Sequence, residues 1–89
     1  MNNMAYELLT ADNIQYQFDL SKAEASVCYQ LCLGLSVEAI AAQSNRELCT
    51  VRSHVKALFR KTDTRRQGEL VARVMGHLLA QQQGLLRAV

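Results

Sequence analysis

Proline is absent from this 89-residue chain, and with 49% of its residues apolar the composition argues against disorder over most of the length. No apolar run reaches membrane-spanning length. The first residues have neither the basic flank nor the long apolar core of an export signal, so a cytoplasmic protein without membrane contact is expected. Glycine is scarce, with four residues, and no phosphate-cradling glycine loop is present. Ser, His and acidic residues fall into no pattern suited to a nucleophile or a metal, and His54 sits on a basic segment without a defined partner. The expectation is a chain that is not an enzyme and carries no cofactor. Cysteine occurs three times, an odd number, with Cys28 and Cys32 one helical turn apart in an apolar stretch. His54 and His77 are too distant along the chain to complete a known soft-metal spacing, so reduced, buried thiols are the plain expectation for the pair.

What is present fits one domain, close to the size at which a single core suffices without staples. The net charge of +2 says little, but its distribution is uneven. Arg46, Arg52, Lys56, Arg60, Lys61, Arg65 and Arg66 crowd one stretch against only Glu47 and Asp63, whereas before Arg46 a lone Lys22 faces Glu7, Asp12, Asp19, Glu24 and Glu38. A small domain polarised in this way has one positive face, which orients encounters with a polyanion. A solvated basic helix with no such partner is the plain alternative.

Periodicity and capping signals describe helices only. A short helix is expected around Ala5 to Thr10, followed by an irregular piece in which Tyr16, Phe18 and Leu20 alternate and cover one end of the core. At "SKAE", Ser21 is placed to cap a helix and Glu24 to reach back, a capping box with Leu20 as the preceding staple; Val27, Leu31 and the cysteines continue to a stop at Gly34. Ser36 caps a short helix carrying Val37, Ile40 and Ala41, and Asn45 stands in for a turn glycine. The next helix runs from about Leu48 to Thr62, with Val51, Val55, Leu58 and Phe59 inward and Arg52, Ser53, Lys56 and Arg60 outward. A second capping box is expected at "TRRQ", with Thr64 at the cap and Gln67 reaching back, opening a last helix with Leu70, Val71, Val74, Leu78 and Leu79 that ends near Gln83. The whole is an all-α four-helix bundle with a central helix-turn-helix: residues 1–17 as an N-terminal extension, 18–83 as the domain, 84–89 as a tail. A short helix, a tight polar turn and a longer basic helix form a pair whose second member fits a major groove.

The stretch "FDLSKAEASVCYQLCLGLSVEAIAAQSNRELCTVRSHVKALFRKTDTRRQGELV", from Phe18 onward, resembles the LuxR-type (GerE-like) helix-turn-helix domain of bacterial transcription regulators. The likeness rests on Leu20-Ser21 with Glu24, "GLS" at Gly34 to Ser36, Ile40-Ala41, "TVRSHV" from Thr50, Lys61, and "RRQGEL" from Arg65. It implies a cytoplasmic, dimeric, winged-helix-like DNA-binding domain, usually attached behind a sensory or receiver domain. By this resemblance Arg52, Ser53 and Lys56 read bases of double-stranded DNA, and Thr50, Lys61 and Arg65 lie near phosphates; Arg60 and Arg66, basic residues of the same segment, are expected on phosphates beside them. His54 takes a packing or hydrogen-bonding role.

The chain departs from that pattern at one place. The family usually has Leu-Gly, an aliphatic residue and a capping Ser where this chain has Ser44, Asn45, Arg46 and Glu47. Loss of the core leucine at Ser44 would cost about 2 kcal/mol if nothing else filled the space, and Leu48 is the available substitute. About seventeen residues precede Phe18, too few for a sensory domain, so either a free-standing regulator or the tail of a larger protein is expected. Met75, Leu79, Leu85 and Leu86 exceed what one small core needs, which points to a homodimer through the last helix. The competing expectation is a module that binds a protein partner, with weak or no DNA binding.

Overall fold

The computed structural model describes residues 8–87, with side chains described through Gln82. Among these residues there are five α-helices and no strand: α1 (Ala11–Phe18), α2 (Lys22–Cys32), α3 (Val37–Ser44), α4 (Leu48–Thr62) and α5 (Gln67–Arg87). No helix among the described residues is long and apolar enough to cross a membrane.

Helix boundaries follow local chemistry. At α2 the capping box is complete: Ser21 Oγ accepts the Glu24 amide at 3.1 Å, and Glu24 Oε1 accepts the Ser21 amide at 2.9 Å. Ser36 Oγ accepts the Ala39 amide at the head of α3. Helices α1, α3 and α4 each end on a left-handed residue, Asp19, Asn45 and Asp63, at φ near 54°, 53° and 54°. The turn after α2 uses Gly34 at φ 92°. Asp and Asn tolerate the left-handed region better than other side chains, so a glycine-poor chain can still stop its helices sharply.

α2 is the hub and touches every other helix, burying Ala25, Val27, Cys28 and Leu31. Ile14, Ile40, Val51, Leu58, Leu70, Val74 and Leu78 close around it, all with at most 1% of their surface exposed. Each such aliphatic side chain contributes about 1.5–3 kcal/mol by leaving water.

Three expectations need correction. Residues 11–18 are not irregular: they form α1, capped by Thr10, whose hydroxyl accepts the Asn13 amide at 3.1 Å. Ile14 and Phe18, four apart, are the inward pair, and Tyr16 points to solvent. The expected helix from Ala5 falls mostly outside the described residues. Among the described residues the bundle therefore has five helices, and α1 is part of it: Asn13 Nδ2 donates to Gln81 Oε1 at 3.2 Å, His77 Nε2 meets Gln17 Oε1 at 2.9 Å, and Phe18 packs on His77 with ring centroids 5.0 Å apart.

The second expected capping box does not form. Thr64 is buried and its hydroxyl meets Thr62 Oγ1 at 2.8 Å, while Glu69, not Gln67, reaches back to accept the Arg65 amide at 2.7 Å. Thr62 Oγ1 gives its only proton to the Leu58 carbonyl at 2.7 Å, so Thr64 must be the donor to Thr62. Arg73 then donates to the Thr62 carbonyl at 2.9 Å, satisfying an otherwise open end of α4. Finally, α5 does not stop at Gln83 but continues through Gly84 to Arg87.

Candidate nucleic-acid interface

α4 is amphipathic over its whole length. Val51, Val55 and Leu58 lie in the core, and Leu48 and Phe59 pack against it half-buried. Arg52, Ser53, Lys56 and Arg60 are all exposed, at the three- and four-residue intervals that align side chains along one face. Cys49 falls on the same stripe, exposed and reduced; its position among the basic residues was not anticipated from the sequence. Ser53 leaves the middle of the face low between longer cations.

The turn that presents α4 departs from expectation only in how it is filled. Ser44 is exposed and folds its hydroxyl back onto the Ile40 carbonyl at 2.6 Å, so it leaves no buried gap of its own. Leu48 takes the apolar role, half-buried against the core. An open hollow of about 420 Å³ remains beside the turn, bounded by Ala41, Ala42, Asn45, Arg46, Glu47 and Leu48. Glu47 precedes α4 without making a side-chain cap bond. Arg46 reaches from the turn to His54, its Nη1 3.3 Å from Nε2. A guanidinium only donates, so His54 accepts through Nε2 and carries its proton on Nδ1, consistent with a hydrogen-bonding role for this histidine.

The basic residues differ in how free they are. Lys56, Arg60, Arg65 and Arg66 are exposed and enter none of the ion pairs among the described residues. Arg52 faces Glu38 of α3 at 3.9 Å, with both side chains more than half exposed, a pair too loose and wet to hold it. Lys61 is different. Its Nζ lies 2.8 Å from Glu24 Oε1, the same oxygen that accepts the Ser21 amide, and Glu24 is only 12% exposed. Lys61 and the capping amide hold the Glu24 carboxyl below its ordinary range. Sequence spacing could not reveal this pair, because its members are 37 residues apart. Thr50 is exposed in the first turn of α4.

Among the described side chains, the last helix presents less apolar surface than expected. Met75 has an internal partner after all, packing half-buried against the core. Leu79 is 50% exposed. The side chains of Leu85 and Leu86 lie outside the described residues. The neighbouring Cys32 thiol, together with burial, pushes the Cys28 thiol far up, and the pairing lowers that of Cys32. Among the described residues no three His, Cys, Asp or Glu side chains converge as a metal site would require.

No family model matches the chain, and no curated protein or solved structure matches it.

Proposed function

We propose that the chain binds duplex DNA as a small transcription regulator of the LuxR/GerE-like helix-turn-helix type, or as the DNA-binding part of a larger one, acting in the cytoplasm. One observation supports this most: the face of α4 opposite Val51, Val55 and Leu58 is an unbroken exposed stripe of Arg52, Ser53, Lys56 and Arg60. A helix of 15 residues standing clear of a tight turn has the dimensions to enter a major groove. Arg52 and Lys56 would address base edges past the low side chain of Ser53. Arg60, Arg65 and Arg66 would meet phosphates, with Thr50 at the helix start and Lys61 exchanging Glu24 for a phosphate oxygen. Two copies joined through the exposed Leu79 on α5 would supply the contact area that one small face lacks.

Selection from a randomised duplex pool at low salt tests the reading. Enrichment of a motif is expected, with Arg52→Ala or Lys56→Ala changing the preferred bases. Arg65→Ala should weaken binding to all sequences and reduce the salt slope by about one. Failure to retain any duplex at low salt would end the proposal.

A second reading, a protein-binding module with weak or no DNA binding, draws on one observation. Lys61 is already held by Glu24 at 2.8 Å before any DNA arrives.

A further inference from the structure

The acidic half of the chain carries a feature that the DNA reading does not use. Tyr16 is 83% exposed, the most exposed large apolar side chain among the described residues. It stands on α1 one turn after Asp12, on the same side of the helix, and Asp19, the left-handed residue that ends α1, borders the same hollow. Asp12, Gln15, Tyr16, Asp19 and Leu20 bound an open hollow of about 540 Å³, with the buried Leu20 at its base. Neither aspartate belongs to an ion pair among the described residues, and the neighbouring Lys22 pairs with neither. Asp12 suits the positive end of α1, and Asp19 suits its left-handed stop. Neither role accounts for an aromatic ring held in water between them.

We propose that this face docks an arginine-bearing segment of another protein. A guanidinium can lie flat on the Tyr16 ring while its edges donate to the carboxylates of Asp12 and Asp19, and its methylene stem can settle in the hollow against Leu20. A lysine offers the charge without the plane. The carboxylates repel phosphate, so the face stays open to a protein while the basic side of the molecule engages a polyanion. The proposal stands independently of the DNA reading, and its test contains no nucleic acid.

The ¹⁵N-labelled full chain is titrated with an end-capped hexapeptide carrying two arginines, then with the lysine and glutamate versions. Amide shifts confined to residues 12–20 are expected, with arginine binding tighter than lysine and glutamate producing none. Tyr16→Ala should weaken the arginine peptide about two- to fivefold, as loss of an exposed cation–aromatic contact implies. Asp12→Asn combined with Asp19→Asn, which keeps a residue tolerant of the left-handed turn, should weaken it about fivefold or more. Circular dichroism of these surface variants should match the parent. Equal binding of the lysine peptide, an undiminished response in Tyr16→Ala, or no shift at millimolar peptide would each overturn the proposal. So would concentration-dependent shifts of these amides in the protein alone, which would mean that a second copy fills the face.

Discussion

Glu24→Gln separates two jobs carried by one oxygen. Glu24 Oε1 accepts both the Ser21 amide at 2.9 Å and Lys61 Nζ at 2.8 Å. Glutamine is isosteric and can still accept the amide, so the cap largely survives and the change removes the charge from Lys61. Lys61 is 38% exposed, and solvent screening limits the pair to about 1 kcal/mol. Glu24→Ala also removes the cap bond, adding about 1 kcal/mol. For a domain of this size, each kcal/mol lowers the melting temperature by about 4–8 °C. The pH dependence gives a sharper check. Folding lowers the Glu24 carboxyl below its ordinary value of 4.5, so its contribution is complete above that pH and fades as the pH drops through the folded-state value. Chemical denaturation of wild type and Glu24→Gln should therefore show a full stability gap at pH 7 that closes on acidification below 4.5. A gap of constant size down to pH 3 would refute the assignment. So would Lys61→Met costing as much in the Glu24→Gln background as in wild type, because a double-mutant cycle would then find no coupling.

The hydroxyl relay between α4 and α5 predicts an asymmetry: Thr62→Val, which strips both the donor to Leu58 and the acceptor for buried Thr64, should cost more than Thr64→Val, which removes one donor and should cost about 1 kcal/mol. Urea denaturation of both variants measures this, and equal costs would mean the donor order is wrong. Gly34→Ala should destabilise by about 1–2 kcal/mol through its backbone alone, since a Cβ there meets nothing within 4 Å while φ is 92°. A neutral result by the same measurement would mean that the turn relaxes. Leu79→Asp should shift any dimer to monomer in sedimentation without loss of helicity, because half of Leu79 already faces solvent; unchanged mass and binding cooperativity would place the interface elsewhere.

Most of the domain was legible because its signals are local. Ser21 with Glu24, Ser36, Gly34 and Asn45 each set a helix end within a few residues, and α4 spans Leu48–Thr62 as its apolar spacing predicts. α1 was misread because Tyr16, Phe18 and Leu20 alternate over too short a stretch to separate a period of two from one of 3.6. The helical pair Ile14 and Phe18, with Thr10 as cap, carried the better signal. The false cap at Thr64 shows the limit of a motif read without burial: the same hydroxyl can satisfy itself on Thr62 once both are inside. The stripe Arg52, Ser53, Lys56 and Arg60 was legible from periodicity. The partners of Lys61 and Met75 were not, since they depend on how separate helices meet, and that of Arg46 depends on how the turn folds back on α4.

The seam between α1 and α5 has a consequence for the order in which the molecule comes apart. Asn13 and Gln81 are 68 residues apart, and the bonds around them, with Gln17 and His77, join amide and imidazole side chains at a partly wetted edge. Contacts so distant in sequence reward the chain only after the intervening helices have assembled, so this seam closes late in folding. Its polar bonds exchange readily for water, so it is also where opening costs least. Opening the seam parts α1 from α5 but leaves α1 seated on α2 through the fully buried Ile14, so the first two helices should loosen as one unit rather than separately.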